Sequence, residues 1–95
     1  MATEHNLAII IAKYNSGTNG SCIIHAFERS TGKKIGSIPL YLSSKAETVY
    51  VCIRFDINEF PNVKTNDDIE LKTQYIGGEQ LYPFTGELEK IVSSR

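Results

Sequence analysis

The stretch Thr48–Asp56 constrains the fold of this chain more than any other, because apolar and polar residues alternate strictly along it. One face carries Val49, Val51, Ile53 and Phe55, and the other carries Thr48, Tyr50, Cys52, Arg54 and Asp56. A period of two in β-branched and aromatic residues is typical of a strand with one face in a core. The other face then meets water or a partner. The pattern predicts a central antiparallel strand.

The length of the chain allows one domain, which we place at residues 1–95 with mobile ends at 1–5 and 93–95. A chain of 10.6 kDa buries roughly 65% of its unfolded surface, which is enough for a single core. The apolar run 7–12 is too short for a signal peptide core or a membrane span. We therefore expect a cytoplasmic protein with no membrane association.

The charge of the chain is unevenly distributed. Residues 1–54 carry six Lys and Arg against three Glu, whereas residues 55–95 carry four against eight Asp and Glu. The overall net charge of −1 argues against a strongly basic nucleic-acid binder. The opposite signs of the two halves suit a head-to-tail contact between copies.

Two further strands are predicted in the first half of the chain. The segment 7–14 is apolar on both faces, as in a strand that is buried on both sides or paired at an oligomer interface. The Gly- and Asn-rich segment 15–21 predicts a turn between antiparallel neighbours. The segment 22–29 follows as the second strand.

A third strand is predicted at 35–42, after a tight turn at 30–34. Pro39 lies inside it, and proline cannot donate to a ladder. This strand is therefore expected at a sheet edge or at a bulge.

The second half of the chain opens with a long connection at 57–68, where Pro61 and several Asn and Asp residues exclude a continuous ladder. This length predicts a crossing between sheets, with a single helical turn at 58–60. A fifth strand at 69–75 alternates cleanly, and Gly77 and Gly78 mark the next turn. The last strand is expected at 81–92, broken at Pro83 or Gly86.

Together these segments predict an all-β domain of about six to seven short strands, arranged as a small antiparallel β-sandwich or a partly open β-barrel. One short helical turn is expected in the 57–68 loop. The sequence leaves the choice between sandwich and barrel open.

Three patterns could indicate chemistry, and each has a simpler structural explanation. His25 and Cys52 could act as base and nucleophile, but a histidine in mid-strand is typically structural. The Asp- and Asn-rich loop 56–68 offers oxygens to calcium, yet its spacing matches no known loop signature. Cys22 and Cys52 are too few for a disulfide framework, and we expect free thiols. We predict no catalytic residue, metal or cofactor, and hence no enzyme.

A basic patch is the basis of one binding hypothesis. Its candidates are Arg29, Lys33, Lys34 and Lys45. If these lay beside tyrosines on one face, they could bind single-stranded nucleic acid. A solvated turn is the simpler interpretation.

A tyrosine-rich surface is the basis of the main hypothesis. The candidate interaction surface consists of Tyr41, Tyr50, Arg54, Tyr75 and Tyr82. With the doubly apolar first strand, it predicts a non-catalytic interaction module that binds itself or another protein. Binding of a small ligand or glycan through loops and exposed tyrosines is the alternative.

Overall fold

The computed structural model describes residues 6–15, 21–42 and 47–93 of the chain. Within these ranges the protein contains seven strands and one short 3₁₀ turn at Asn66–Asp68. The strands are β1 (Leu7–Asn15), β2 (Cys22–Glu28), β3 (Lys34–Leu40), β4 (Thr48–Asp56), β5 (Ile69–Tyr75), β6 (Leu81–Pro83) and β7 (Gly86–Ser93). The all-β prediction is confirmed. The predicted mobile ends lie outside the described residues, except that Ser93 belongs to β7.

The described strands form two open antiparallel sheets and no closed barrel. Sheet A has the order β4-β1-β7, and sheet B has the order β3-β2-β5-β6. The connection 57–68 leads from sheet A to sheet B, as its length predicted. The segment 81–92 is interrupted between Pro83 and Gly86, and its two parts belong to different sheets.

The alternation in β4 is confirmed, but its predicted central position is wrong. Val51, Ile53 and Phe55 are buried, whereas Tyr50, Cys52 and Arg54 are exposed. β4 pairs with β1 alone among the described strands, so it is an edge strand. β1 is the central strand of sheet A, because β4 and β7 both pair with it.

The segment 15–21 does not join paired strands, which corrects a second prediction. β1 pairs with β4 and β7, whereas β2 pairs with β3 and β5. The chain therefore passes from one sheet to the other at this connection. Residues 16–20 themselves lie outside the described residues. The turns at 30–34 and at Gly77 do join antiparallel neighbours.

The helical turn of the long loop lies later than predicted. Residues 57–59 form a hydrogen-bonded turn in which the Glu59 amide donates to the Asp56 carbonyl at 3.0 Å. The 3₁₀ turn is at Asn66–Asp68, directly before β5. Asp68 explains this position, because its carboxylate accepts hydrogen bonds from the amides of Lys64 and Thr65.

One side of the sandwich is closed by β3, which lies at the edge of sheet B as Pro39 predicted. A methyl group on Gly36 of β3 would lie 3.0 Å from Cγ2 of Ile53. β3 therefore packs closely against β4. The opposite side is open, because β6 pairs with β5 only at 72–74 and no described strand pairs with the outer edge of β7.

The core lies between the two sheets and is almost entirely apolar. From sheet A it takes the inward side chains Ala8, Ile10, Ala12, Tyr14, Val51, Ile53 and Phe55. From sheet B it takes Cys22, Ile24, Ala26, Ile69 and Leu71, and the connection adds Phe60 and Val63. The rings of Phe55 and Phe60 meet edge to face, with centroids 6.2 Å apart. This contact holds the long loop against β4.

Candidate interaction surface

The outer face of sheet A carries apolar side chains that no described strand covers. Since side chains alternate along a strand, burial of Ala8, Ile10 and Ala12 turns the intervening residues of β1 outward. The outward residues of β1 are Leu7, Ile9, Ile11 and Lys13. Beside them lie Arg54, Cys52 and Tyr50 of β4, and Val92 and Lys90 of β7. We call this surface the outer face.

An apolar groove of about 260 Å³ lies at the end of the outer face where β1 begins. Its lining consists of Leu7, Ile9, Arg54, Val92 and Ser93. Leu7 and Val92 are 43% and 41% exposed, so both leave apolar area in water. Burial of this exposed apolar area of Leu7 and Val92 by a partner would be favourable by about 25 cal/mol per Å².

The other end of the outer face is polar. The Lys13 ammonium lies 5.7 Å from the centre of the Tyr50 ring, a cation–π contact. A second concavity of about 330 Å³ is lined by Ile11, Tyr50, Glu89 and Lys90. The outer face is therefore apolar at one end and mixed in charge at the other.

The five residues of the predicted interaction surface do not form one surface. Tyr50 and Arg54 lie on the outer face, four residues apart on β4, with Cys52 between them. Tyr75 and Tyr82 belong to sheet B, where their rings pack with centroids 5.4 Å apart. Tyr41 follows β3 and is 82% exposed.

The end of the molecule near Tyr75 exposes a second apolar group. It consists of Tyr41, Ile76, Leu81 and Tyr82. Sequence reasoning included the tyrosines but missed Ile76 and Leu81. The position of Ile76 directly before Gly77 and Gly78 could have indicated it, because an aliphatic residue at a turn has little around it to pack against.

The residues of the predicted basic patch contact different parts of the protein and do not form one patch. The Arg29 guanidinium donates to the carbonyl oxygens of Asp67 and Ile69 and lies 3.8 Å from the Glu70 carboxylate. The Lys33 ammonium lies 5.1 Å from the centre of the Phe60 ring. Arg29 thus joins β2 to the 3₁₀ turn among acidic neighbours. Lys34 is exposed at the start of β3, and Lys45 lies outside the described residues.

His25 points away from the core on sheet B, whereas Cys52 lies on the outer face of sheet A. The structure therefore does not bring this base and thiol together. His25 is buried beside Phe27, and its Nε2 lies 2.8 Å from Oε1 of Gln74. Gln74 in turn donates to the carbonyl of Gly78 at 2.8 Å. His25 therefore connects β2 to the β5–β6 turn. Both cysteines are free: Cys22 is buried and Cys52 is exposed.

Two carboxylates of the long loop accept hydrogen bonds within turns. Asp56 accepts from the Asn58 amide at 2.8 Å, and Asp68 accepts from Lys64 and Thr65. The amides of Lys64 and Thr65 lower the pKa of Asp68 below its ordinary value, since they stabilise the charged form. Within the described ranges, no three His, Cys, Asp or Glu side chains are grouped as metal ligands.

A cleft of about 360 Å³ follows the open side of the sandwich, between β5–β6 and β7. Its apolar lining includes Leu71, Pro83, Phe84 and Leu88, and its charged rim includes Arg29, Glu70 and Lys72. Glu70 lies between the two cations, 3.8 Å from Arg29 and 3.7 Å from Lys72. Sequence reasoning did not predict this cleft, because it depends on which strands remain unpaired.

No helix in the described part of the chain has the length and apolarity to cross a bilayer. Comparison with protein-family models, with curated proteins and with solved structures finds no match to the chain. A function must therefore be inferred from the surfaces described above.

Proposed function

We propose that this domain is a non-catalytic interaction module that associates with further copies of itself through the outer face of sheet A. The observation that carries the proposal is the row of apolar side chains that the central strand turns outward. Ile9 and Ile11 are partly buried and keep some apolar surface in water, and Leu7 is exposed. Exposed apolar surface that is contiguous and rimmed by polar groups marks interaction sites.

The polar rim of the outer face supports a protein partner. Tyr50 is 65% exposed, and tyrosine and arginine are enriched at protein interfaces. Arg54 makes no salt bridge within the described residues, so its guanidinium is available to a carboxylate from outside. The polar groups of the rim would orient the partner, and the apolar row would supply most of the binding free energy.

The size of the outer face limits the area of a contact made through it. Three strands of up to nine residues cover roughly 14 Å by 30 Å, or about 400 Å² in projection. This is about half of the ~800 Å² per partner that is ordinary for a specific complex. We therefore expect association that is reversible on dilution.

Light scattering across a dilution series tests the proposal with a matched pair of variants. Leu7→Asp places a carboxylate in the apolar groove and should weaken association at least about tenfold, which corresponds to ~1.4 kcal/mol. Ser37→Asp adds the same charge at an exposed position of β3 in the other sheet, and it should associate like the wild type. A wild-type protein that stays monomeric at high micromolar concentration would refute self-association.

Binding of a small ligand in the cleft beside β5–β6 is a second candidate. Its volume of about 360 Å³ lies within the range of ligand pockets, and apolar walls with a few charged groups are typical of such sites. An NMR titration with a panel of aromatic carboxylates, followed through the amide chemical shifts, tests this function. Changes confined to the surroundings of Leu71, Phe84 and Leu88 would support it, and an unchanged spectrum would contradict it.

A further inference from the structure

The β5–β6 turn forms a narrow apolar projection. Ile76 is 60% exposed, and the next two residues are glycines without side chains. The turn is closed by the Gly78 amide, which donates to the Tyr75 carbonyl at 3.0 Å, and Gly77 adopts a positive φ of 87°. Glu79 follows, also exposed. We call residues 76–79 the projecting turn.

The projecting turn and the apolar groove lie at opposite ends of the sandwich. Tyr75 pairs with Cys22, and Cys22 lies beside Tyr14 near the end of β1. The groove lies where β1 begins, at Leu7 and Ile9. Because they are far apart on one molecule, whose longest dimension is 46 Å, both can be occupied at the same time.

The two sites are complementary in chemistry, because each combines apolar side chains with one charged group and the two charges are opposite. The groove offers apolar walls and, at its rim, the Arg54 guanidinium. The projecting turn offers one aliphatic side chain, with a carboxylate three residues later. Neither Arg54 nor Glu79 makes a salt bridge within the described part of the chain. Opposite charges across a contact fix its orientation and suppress wrong partners.

We propose that the projecting turn of one copy inserts into the apolar groove of the next, with Ile76 against Leu7 and Val92 and Glu79 against Arg54. This inference rests on the proposed self-association and names its geometry. The contact is heterologous, since two different surfaces meet. Each copy then has one free turn and one free groove, so copies add head to tail until a ring closes or a filament grows.

Two variants, each lacking one half of the contact, test this geometry. Ile76→Asp removes the aliphatic side chain from the turn but keeps the groove, and Leu7→Asp does the reverse. Each variant alone should raise the dissociation constant at least about tenfold. A mixture should form a 1:1 heterodimer that does not grow further, because one intact turn and one intact groove remain. Sedimentation velocity measures all three samples.

A control separates the loss of the aliphatic side chain from the added charge. Gln80→Asp places the same charge next to the projecting turn and leaves Ile76 in place, so it should retain association. Each substituted side chain is partly or fully exposed, and an unchanged melting temperature checks that the variants fold.

The outcomes distinguish the geometry from the function on which it rests. If the wild type associates and Ile76→Asp associates equally well, the head-to-tail contact is wrong, while self-association stands. If both variants are monomeric and their mixture is also monomeric, the two residues do not occupy complementary halves, and the inference fails. If the wild type itself is monomeric, the proposed function fails first.

Discussion

The side-chain amide of Asn66 donates to the backbone carbonyls of Leu88 and Glu89, at 3.3 Å and 3.1 Å. Glu89 is the extra residue of a bulge in β7, because Ile11 pairs with Lys90 and Ala12 pairs with Leu88. Asn66 thereby connects the 3₁₀ turn to β7, an edge strand of sheet A. This contact holds the two sheets together on the open side of the sandwich.

Asn66→Ala should lower the free energy of unfolding by about 1 kcal/mol, the usual contribution of such hydrogen bonds. Asn66→Asp should lower it further, because a carboxylate cannot donate and would face two carbonyl oxygens. Urea unfolding measures both. Asn62→Ala, at an exposed position in the same connection, is the control and should change little. Equal stability of Asn66→Asp and the control would contradict a role for these bonds.

Gly86→Ala should destabilise the domain through a steric clash at the start of β7. A Cβ atom at this position would lie close to the Lys13 carbonyl oxygen, and the backbone has a positive φ of 154°. Relief of such a clash costs about 1–3 kcal/mol, a large share of the roughly 5–10 kcal/mol expected for a small domain. Thermal unfolding checks this. Gly78→Ala is the control, since its added methyl group would make only an ordinary contact at 3.5 Å.

Asp68 should make stability depend on pH in the acid range. Its pKa is lowered in the folded protein, first by the amides of Lys64 and Thr65, so the folded state favours the charged form. The stabilisation is present above the ordinary aspartate pKa of about 3.9 and is lost as pH falls through the lower folded value. Asp68→Asn should therefore melt below the wild type at neutral pH.

The melting temperatures of Asp68→Asn and the wild type should converge as the pH is lowered through this range. Asp67→Asn provides the control, because the hydrogen bonds to Lys64 and Thr65 remain in that variant. A difference between Asp68→Asn and the wild type that does not change with pH would contradict the assignment.

Tyr14 should tolerate loss of its hydroxyl but not of its ring. The side chain is fully buried, its ring lies 5.6 Å from that of Phe84, and its hydroxyl makes no hydrogen bond of good geometry within the described residues. Burial raises the pKa of this hydroxyl, and the neighbouring Cys22 thiol raises it further. A buried hydroxyl without a partner is unfavourable by about 1–3 kcal/mol.

Tyr14→Phe should therefore match or exceed the wild type in stability, whereas Tyr14→Ala should lose about 3–5 kcal/mol through the cavity. Urea unfolding of both variants checks this. A loss of more than about 1 kcal/mol in Tyr14→Phe would show that the hydroxyl has a partner, such as a buried water.

Several local features of this protein follow from its sequence alone. The alternation of β4 and β5 predicts which side chains enter the core, because the period of two is a property of a single strand. Pro39 predicts an edge strand, since proline lacks the amide that a central strand would need. The tight turns at 30–34 and at Gly77 connect paired strands, because short connections leave antiparallel pairing as the simplest geometry.

The tertiary structure alone determined which strands pair and which surfaces result. Apart from proline, every residue offers the same backbone hydrogen bonds, so the choice of partner strand depends on how two whole sheets cover one core. No short segment contains that information. β4 was therefore expected at the centre but lies at an edge, and the segment 15–21 passes between sheets. For the same reason, the predicted tyrosine surface divides into two parts, one on the outer face and one near the projecting turn.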